Sequence, residues 1–172
     1  MFIKPANSGS SVGVKKANNK DELKIAIENA SQYDNKILIE KAVNAKEIEC
    51  AILDGKEIKV STVGEILSAE DFYSFDAKYN IPESKTIIPA DIKQEQIKQI
   101  QEFALKAFKA IDGKGLARID FFVEKETDKI YINEINTMPG FTNISMYPKL
   151  FEAVGIKYSE LLDKLIENAL KD

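Results

Sequence analysis

The sequence predicts an α+β fold, a mostly antiparallel sheet with flanking helices. Three patterns carry that expectation. Residues 116–123 and 130–136 are two apolar strand patterns joined by a short polar connection, 124–129, which reads as a hairpin. Residues 47–53 and 57–63 form a second strand pair joined at Asp54-Gly55, a hairpin turn signal. Ile97, Ile100, Ala104, Ala107, Phe108 and Ile111 recur at helical spacing and stop at Gly113, an amphipathic helix with a glycine end.

The remaining elements follow in chain order. Phe2-Ile3-Lys4-Pro5 reads as the end of a buried strand directly after Met1, an abrupt start that suggests missing upstream sequence. Residues 7–13 form a tight polar loop between two short strands. Leu23, Ala26, Ile27 and Ala30 give a helix capped by Asn19 or Asp21. Residues 36–41 read as a buried strand, and a composition shift at Val43-Asn44-Ala45 divides two lobes. Between residues 67 and 90 periodicity vanishes; a loop of that length is a lid or a binding loop. The tail holds a short helix ending near Gly155 and a last helix with Leu161, Leu162, Leu165, Ile166 and Ala169, capped by Ser159.

With 172 residues the chain has room for one ordinary domain or two small lobes. A net charge of −4 argues against nucleic acid as the main partner, because a phosphate-binding face needs a basic surplus. There is no histidine and a single cysteine, which excludes histidine-based triads, histidine- or thiolate-held zinc and an intramolecular disulfide. No apolar run approaches the ~20 residues of a membrane span. The lone cysteine and the lack of a signal peptide point to a reducing cytoplasm. Cys50 alternates with Ile48 and Ile52 and reads as a core residue.

The chemistry concentrates in the 116–136 hairpin. By strand alternation Glu134 and Asn136 share a face, together with Ile130 and Ile132, and Arg118 and Asp120 share a face on the other strand. If the hairpin pivots near Thr127, Asp120 lies opposite Glu134 and Arg118 opposite Asn136. A carboxylate on such a face is costly without a positive partner. An oxygen set of Asp, Glu and Asn suits a hard cation of the magnesium type, with positions left for phosphate oxygens. The arginine beside it suits an anionic substrate or transition state. A surface hairpin with ordinary ion pairs is the plainer alternative, which alternation alone leaves open. Lys4 and the run Ser8-Gly9-Ser10-Ser11-Val12-Gly13 resemble a phosphate cradle of backbone N–H groups and hydroxyls, although a Ser/Gly loop is often only a turn. Glu40, the Lys41-Ala42-Val43 backbone and Glu47 are candidates for a nucleotide's base and ribose, and Asp76-Ala77-Lys78-Tyr79 for a loop over its phosphates. For both, surface residues are the alternative.

Taken in order, Lys4-Pro5, the 8–13 loop, Glu40-Lys41, Asp76-Ala77-Lys78-Tyr79, Arg118-Ile119-Asp120 and Asn133-Glu134-Ile135-Asn136-Thr137-Met138-Pro139-Gly140-Phe141-Thr142 resemble the motif series of D-alanine–D-alanine ligases, members of the ATP-grasp superfamily. The resemblance runs from Phe2 almost to the C-terminus. It implies an ATP-grasp fold with a partial small lobe over residues 1–41 and a complete C-terminal lobe over 42–172 that carries the 67–90 lid. It implies ATP and two magnesium ions (manganese as the alternative), D-alanine as substrate, a cytoplasmic place in peptidoglycan precursor synthesis and a homodimeric full-length protein, with no nucleic acid or membrane partner. Residue by residue, it implies that Lys4, Ser10 and Ser11 hold ATP phosphates. Glu40, Lys41, Ala42, Val43 and Glu47 hold adenine and ribose, and Lys78 reaches the transferred phosphate. Asp120, Glu134 and Asn136 bind the metal. Arg118 and the Gly140 N–H stabilise an oxyanion, and Ser145 and Met146 lie by the second D-alanine. Ser10 and Tyr79 join a hydrogen-bond network to the substrate, and Tyr79 favours an amine over a lactate acceptor. The family's N-terminal domain, which holds the first D-alanine, has no counterpart here, so the chain alone is expected to turn over little. Another ATP-grasp carboxylate–amine ligase and a non-catalytic nucleotide-binding module are the competing readings.

Overall fold

The computed structural model describes residues 1–9, 11–67 and 85–170. They group into two compact units that meet in sequence between Asn44 and Ala45. Ser10, Lys78, Tyr79 and residues 68–84 of the expected 67–90 lid lie outside the described residues.

The first unit is an antiparallel sheet in the order β2-β1-β3, with β1 at Phe2–Pro5, β2 at Lys15–Lys16 and β3 at Ile37–Glu40. Helix α1, Lys20–Ala30, covers one face. It starts where Asn19 Oδ1 accepts from the Asp21 and Glu22 N–H groups at 3.0 and 2.9 Å. Glu22 reaches back to accept from the Asn18 N–H, which satisfies otherwise orphaned donors and draws its pKa down. Ile3, Ala17, Ala26 and Ala30 form the core, joined by Leu23, Ile27 and Ile37. β3 is less buried than its apolar sequence suggests: it lies at the edge of the sheet, and Ile39 is 54% exposed.

The second unit is a five-stranded antiparallel sheet in the order β6-β5-β4-β7-β8. Its strands are β4 (Ala45–Leu53), β5 (Lys59–Leu67), β6 (Lys85–Ile87), β7 (Leu116–Glu124) and β8 (Ile130–Asn136). Helix α2, Gln94–Ala110, covers one face, packing Ile100, Ala104 and Phe108 onto Ile48, Cys50, Ile52, Val63, Ile119 and Phe121. Two further helices follow, α3 (Met146–Glu152) and α4 (Tyr158–Ala169). α3 packs on β4 and β5. The close approach requires glycine at position 64, where a Cβ would stand 2.9 Å from Met146 Sδ and 3.0 Å from Leu150 Cδ2. Tyr147 donates its hydroxyl hydrogen to the Ile52 carbonyl at 2.9 Å. α4 begins after Lys157, so Ser159 lies inside the helix and does not cap it. Among the described residues no helix is long and apolar enough to cross a membrane.

Two bulges interrupt the ladders. In β5, Cys50 pairs with Val63 but Ile52 with Val60; Ser61 Oγ accepts from the Ala51 N–H at 2.9 Å beside this irregularity. In β8, Asp120 pairs with Glu134 but Phe121 with Ile132, so Asn133 is the extra residue. This bulge overturns one expectation. Ile130 and Ile132 pair with Val123 and Phe121 on the α2 side, whereas Glu134 and Asn136 pair with Asp120 and Arg118 on the opposite side. One inserted residue reverses the alternation, so the isoleucines and the polar pair do not share a face.

Candidate metal and oxyanion site

The hairpin expected from the sequence closes through a turn at 125–129. The Asp128 N–H donates to the Glu124 carbonyl and the Glu124 N–H to the Lys129 carbonyl, both at 2.9 Å. Asp128 takes the left-handed conformation, at φ 60°. The resulting register sets Asp120 opposite Glu134 and Arg118 opposite Asn136, the pairing that a pivot near Thr127 requires. β4 adds Glu49 opposite Asp120, Glu47 opposite Phe122 and Ala51 opposite Arg118. The sheet face away from α2 therefore gathers Glu47, Glu49, Arg118, Asp120, Glu134 and Asn136.

Their side chains interlock. Arg118 donates to Asp120 through Nε and Nη2, both at 2.7 Å, and its Nε stands 3.1 Å from Glu49 Oε2. Burial works against the guanidinium charge, but the hydrogen bond to Asp120 and the charges of Asp120, Glu49 and Glu134 outweigh it, so Arg118 holds its proton more firmly than usual. Asn136 Nδ2 lies 3.1 Å from Asp120 Oδ2 and 3.2 Å from Glu134 Oε1.

These contacts test whether the residues suit a cation. Two carboxylate oxygens, one from each strand, converge on a single electropositive atom, the Asn136 amide nitrogen. A half-turn of that amide, whose N and O are set by the hydrogen-bond network, would offer Oδ1 instead. The set is then all oxygen, with two carboxylates and one amide, and suits a hard divalent ion that keeps further positions for water or phosphate. Among the described residues no three His, Cys, Asp or Glu side chains gather to hold an ion, so the amide is integral to this set.

Downstream, Gly140 and Ser145 are neighbours: a Cβ on Gly140 would stand 3.0 Å from Ser145 Oγ. Ser145 Oγ accepts from the Thr142 N–H at 3.0 Å and lies 2.9 Å from Thr142 Oγ1. Met146 opens α3 and is buried against the sheet. Tyr158 donates to the Phe141 carbonyl at 3.0 Å, and Phe141 stacks obliquely between Tyr147 and Tyr158 at 5.5 Å from each. These contacts brace the 140–145 segment.

In the first unit Lys4 Nζ pairs with Glu40 Oε1 at 2.7 Å, so two groups assigned to a nucleotide hold each other. The 7–14 loop turns twice, with the Val12 N–H donating to the Gly9 carbonyl and the Val14 N–H to Ser11. Ser11 and Gly13 are left-handed, at φ 60° and 73°. Asn7 ties the loop down through its N–H and Nδ2 on Asp34 Oδ2, at 2.8 and 2.7 Å. Lys41, Ala42 and Val43 form a connection after β3 that is neither helix nor strand.

Glu49 and Tyr158 are the residues that the sequence reading missed. Glu49 had a signal, since it alternates with Cys50 and therefore faces away from the core that Cys50 joins. Tyr158 had none, because its partner is a backbone carbonyl distant in sequence.

The fold is ATP-grasp, the class to which the solved ligases similar to this chain belong. The family described as D-ala D-ala ligase C-terminus matches residues 1–167, and the chain belongs to it. A D-alanine–D-alanine ligase of Acetivibrio thermocellus is 57% identical over 171 residues, 99% of this chain and 46% of that protein. The solved D-alanine–D-alanine ligase of Coxiella burnetii is 40% identical with a TM-score of 0.85, over 99% of this chain and 44% of that one. The VanG D-Ala:D-Ser ligase of Enterococcus faecalis is also 40% identical, with a TM-score of 0.86, over 96% of this chain and 48% of that one. The chain spans about half the length of the curated relatives it matches.

Proposed function

We propose that this chain supplies the nucleotide- and cation-binding portion of an ATP-dependent D-alanine–D-alanine ligase, which makes the dipeptide for peptidoglycan precursors. The observation that supports it most is the convergence of Asp120, Glu134 and Asn136 on one point beside Arg118. In this reading a D-alanine carboxylate attacks the γ-phosphorus of ATP, ADP leaves, and an acyl phosphate forms. The amine of a second D-alanine attacks its carbonyl carbon, and phosphate departs from the tetrahedral intermediate.

Asp120, Glu134 and Asn136 would hold two magnesium ions, which would neutralise phosphate charge. Arg118 and the Gly140 N–H face the developing oxyanion. Lys4, Ser10, Ser11 and Lys78 bind phosphates. Glu40, the 41–43 backbone and Glu47 bind adenine and ribose. Ser145 and Met146 lie beside the second amino acid, and Ser10 and Tyr79 link the loop to it by hydrogen bonds. The parent enzyme works as a cytoplasmic homodimer.

The test joins this chain to the portion of the Acetivibrio thermocellus ligase that it does not span, then measures ADP release with ATP and magnesium. Release that rises with D-alanine and yields the dipeptide by mass spectrometry is expected. Nucleotide binding without any D-alanine dependence contradicts the reading. The similarity to a D-Ala:D-Ser ligase motivates a second reading, in which the acceptor is another amino acid. D-serine outcompeting D-alanine in the same assay would favour it.

A further inference from the structure

Glu49 is a carboxylate only 7% exposed, on the central strand β4, and the cation reading gives it no role. Burial of such a group is unfavourable unless an opposite charge stays with it. That charge is Arg118, whose Nε is 3.1 Å from Glu49 Oε2. Arg118 is the only arginine in the chain.

The same guanidinium grips both oxygens of Asp120 at 2.7 Å. A carboxylate committed in that way has little left for a cation, so a cation at Asp120 must loosen the grip. Arg118 would then lose a two-pronged partner while keeping its charge on a half-buried strand. Glu49 sits directly across the ladder from Asp120, on the side away from β8, where Glu134 and Asn136 lie. Nε has a single hydrogen, which Asp120 Oδ1 accepts, while Glu49 Oε2 faces Nε as an ion-pair partner without accepting it. When Asp120 turns toward Glu134 and Asn136, Glu49 is placed to take that hydrogen over.

We propose that Glu49 is the positioning residue for Arg118, holding Nε on the site face of the sheet when Asp120 is committed to a cation. This rests on the reading of Asp120 as a cation ligand. Glu49 leaves Nη2 free of Asp120, so the outer edge of the guanidinium can point at a substrate oxyanion.

The lone arginine makes the test direct. In isotope-labelled chain its Nε–H gives one signal in a proton–nitrogen correlation spectrum, and solvent exchange of that hydrogen reports whether an acceptor holds it. In metal-free buffer the native chain, Glu49→Leu and Asp120→Ala are each expected to keep a slowly exchanging signal. The double variant should lose it, with exchange faster by about tenfold or more, as expected when the last charged acceptor is gone. Added magnesium should shift the signal in the native chain and abolish it in Glu49→Leu.

Loss of the signal in Asp120→Ala alone, or its survival in the double variant, overturns the proposal. If amide dispersion shows that Glu49→Leu unfolds the chain, Glu49→Met, which likewise offers no oxygen acceptor, takes its place and the same outcomes decide. A native signal indifferent to magnesium, with the metal-free variants behaving as expected, contradicts the cation reading of Asp120 and leaves Glu49 as the residue that holds Arg118.

Discussion

At the scale of single residues, the site face is a balance of charges around one guanidinium. Glu134 belongs to the converging oxygens, so Glu134→Gln removes a charged ligand of the proposed cation while keeping the shape. Magnesium-dependent nucleotide binding should weaken by about tenfold, roughly 1.4 kcal/mol, in a calorimetric titration. Arg118→Ala, measured in this chain joined to the rest of the Acetivibrio thermocellus ligase, should lower turnover by about two to three orders of magnitude with a much smaller change in ATP affinity, because the proposed oxyanion donor acts in the transition state. Equal losses in both would make Arg118 a ground-state contact. Cys50 answers a different question. Burial pushes its thiol from an ordinary 9.0 up to about 12. The unfolded chain therefore releases that proton first, so the thiol's contribution to stability is complete below pH 9 and falls as pH rises toward 12. The decline is about 1.4 kcal/mol per pH unit from this one group. Urea midpoints at pH 8 and pH 10 should diverge less in Cys50→Ala than in the native chain.

At the scale of elements, α3 is held against the sheet by the absence of a side chain at Gly64. Gly64→Ala should cost about 1–3 kcal/mol by denaturant unfolding, since a Cβ would press on Met146 and Leu150. Met146→Ala in the same chain should recover part of that loss, a coupling that a double-mutant cycle reads directly. The elements also show which parts of the fold the sequence made legible. The α2 helix was plain because its apolar residues keep the helical period through to Gly113, whose N–H bonds the Phe108 carbonyl at 3.0 Å. The register of β7 against β8 was plain because a short polar connection allows few pivots. The side on which Ile130 and Ile132 fall was not, because the Asn133 bulge carries no glycine to announce it. The start of α4 was misplaced for a related reason: Lys157 precedes it with no side-chain cap, while Ser159 only has the composition of one. Glu49 was legible by parity, because it alternates with the core residues Ile48 and Cys50 and so faces the other side of the sheet.

At the scale of the whole molecule, family membership rests on a match that covers residues 1–167. Function rests on whether the converging oxygens take a metal together with a nucleotide. The most direct measurement is an isothermal titration of this chain with a non-hydrolysable ATP analogue, with and without magnesium, repeated on Glu134→Gln. The account predicts saturable binding that requires magnesium and is weakened by the substitution. Binding that ignores both magnesium and Glu134, or no binding by a chain that melts cooperatively, would contradict it.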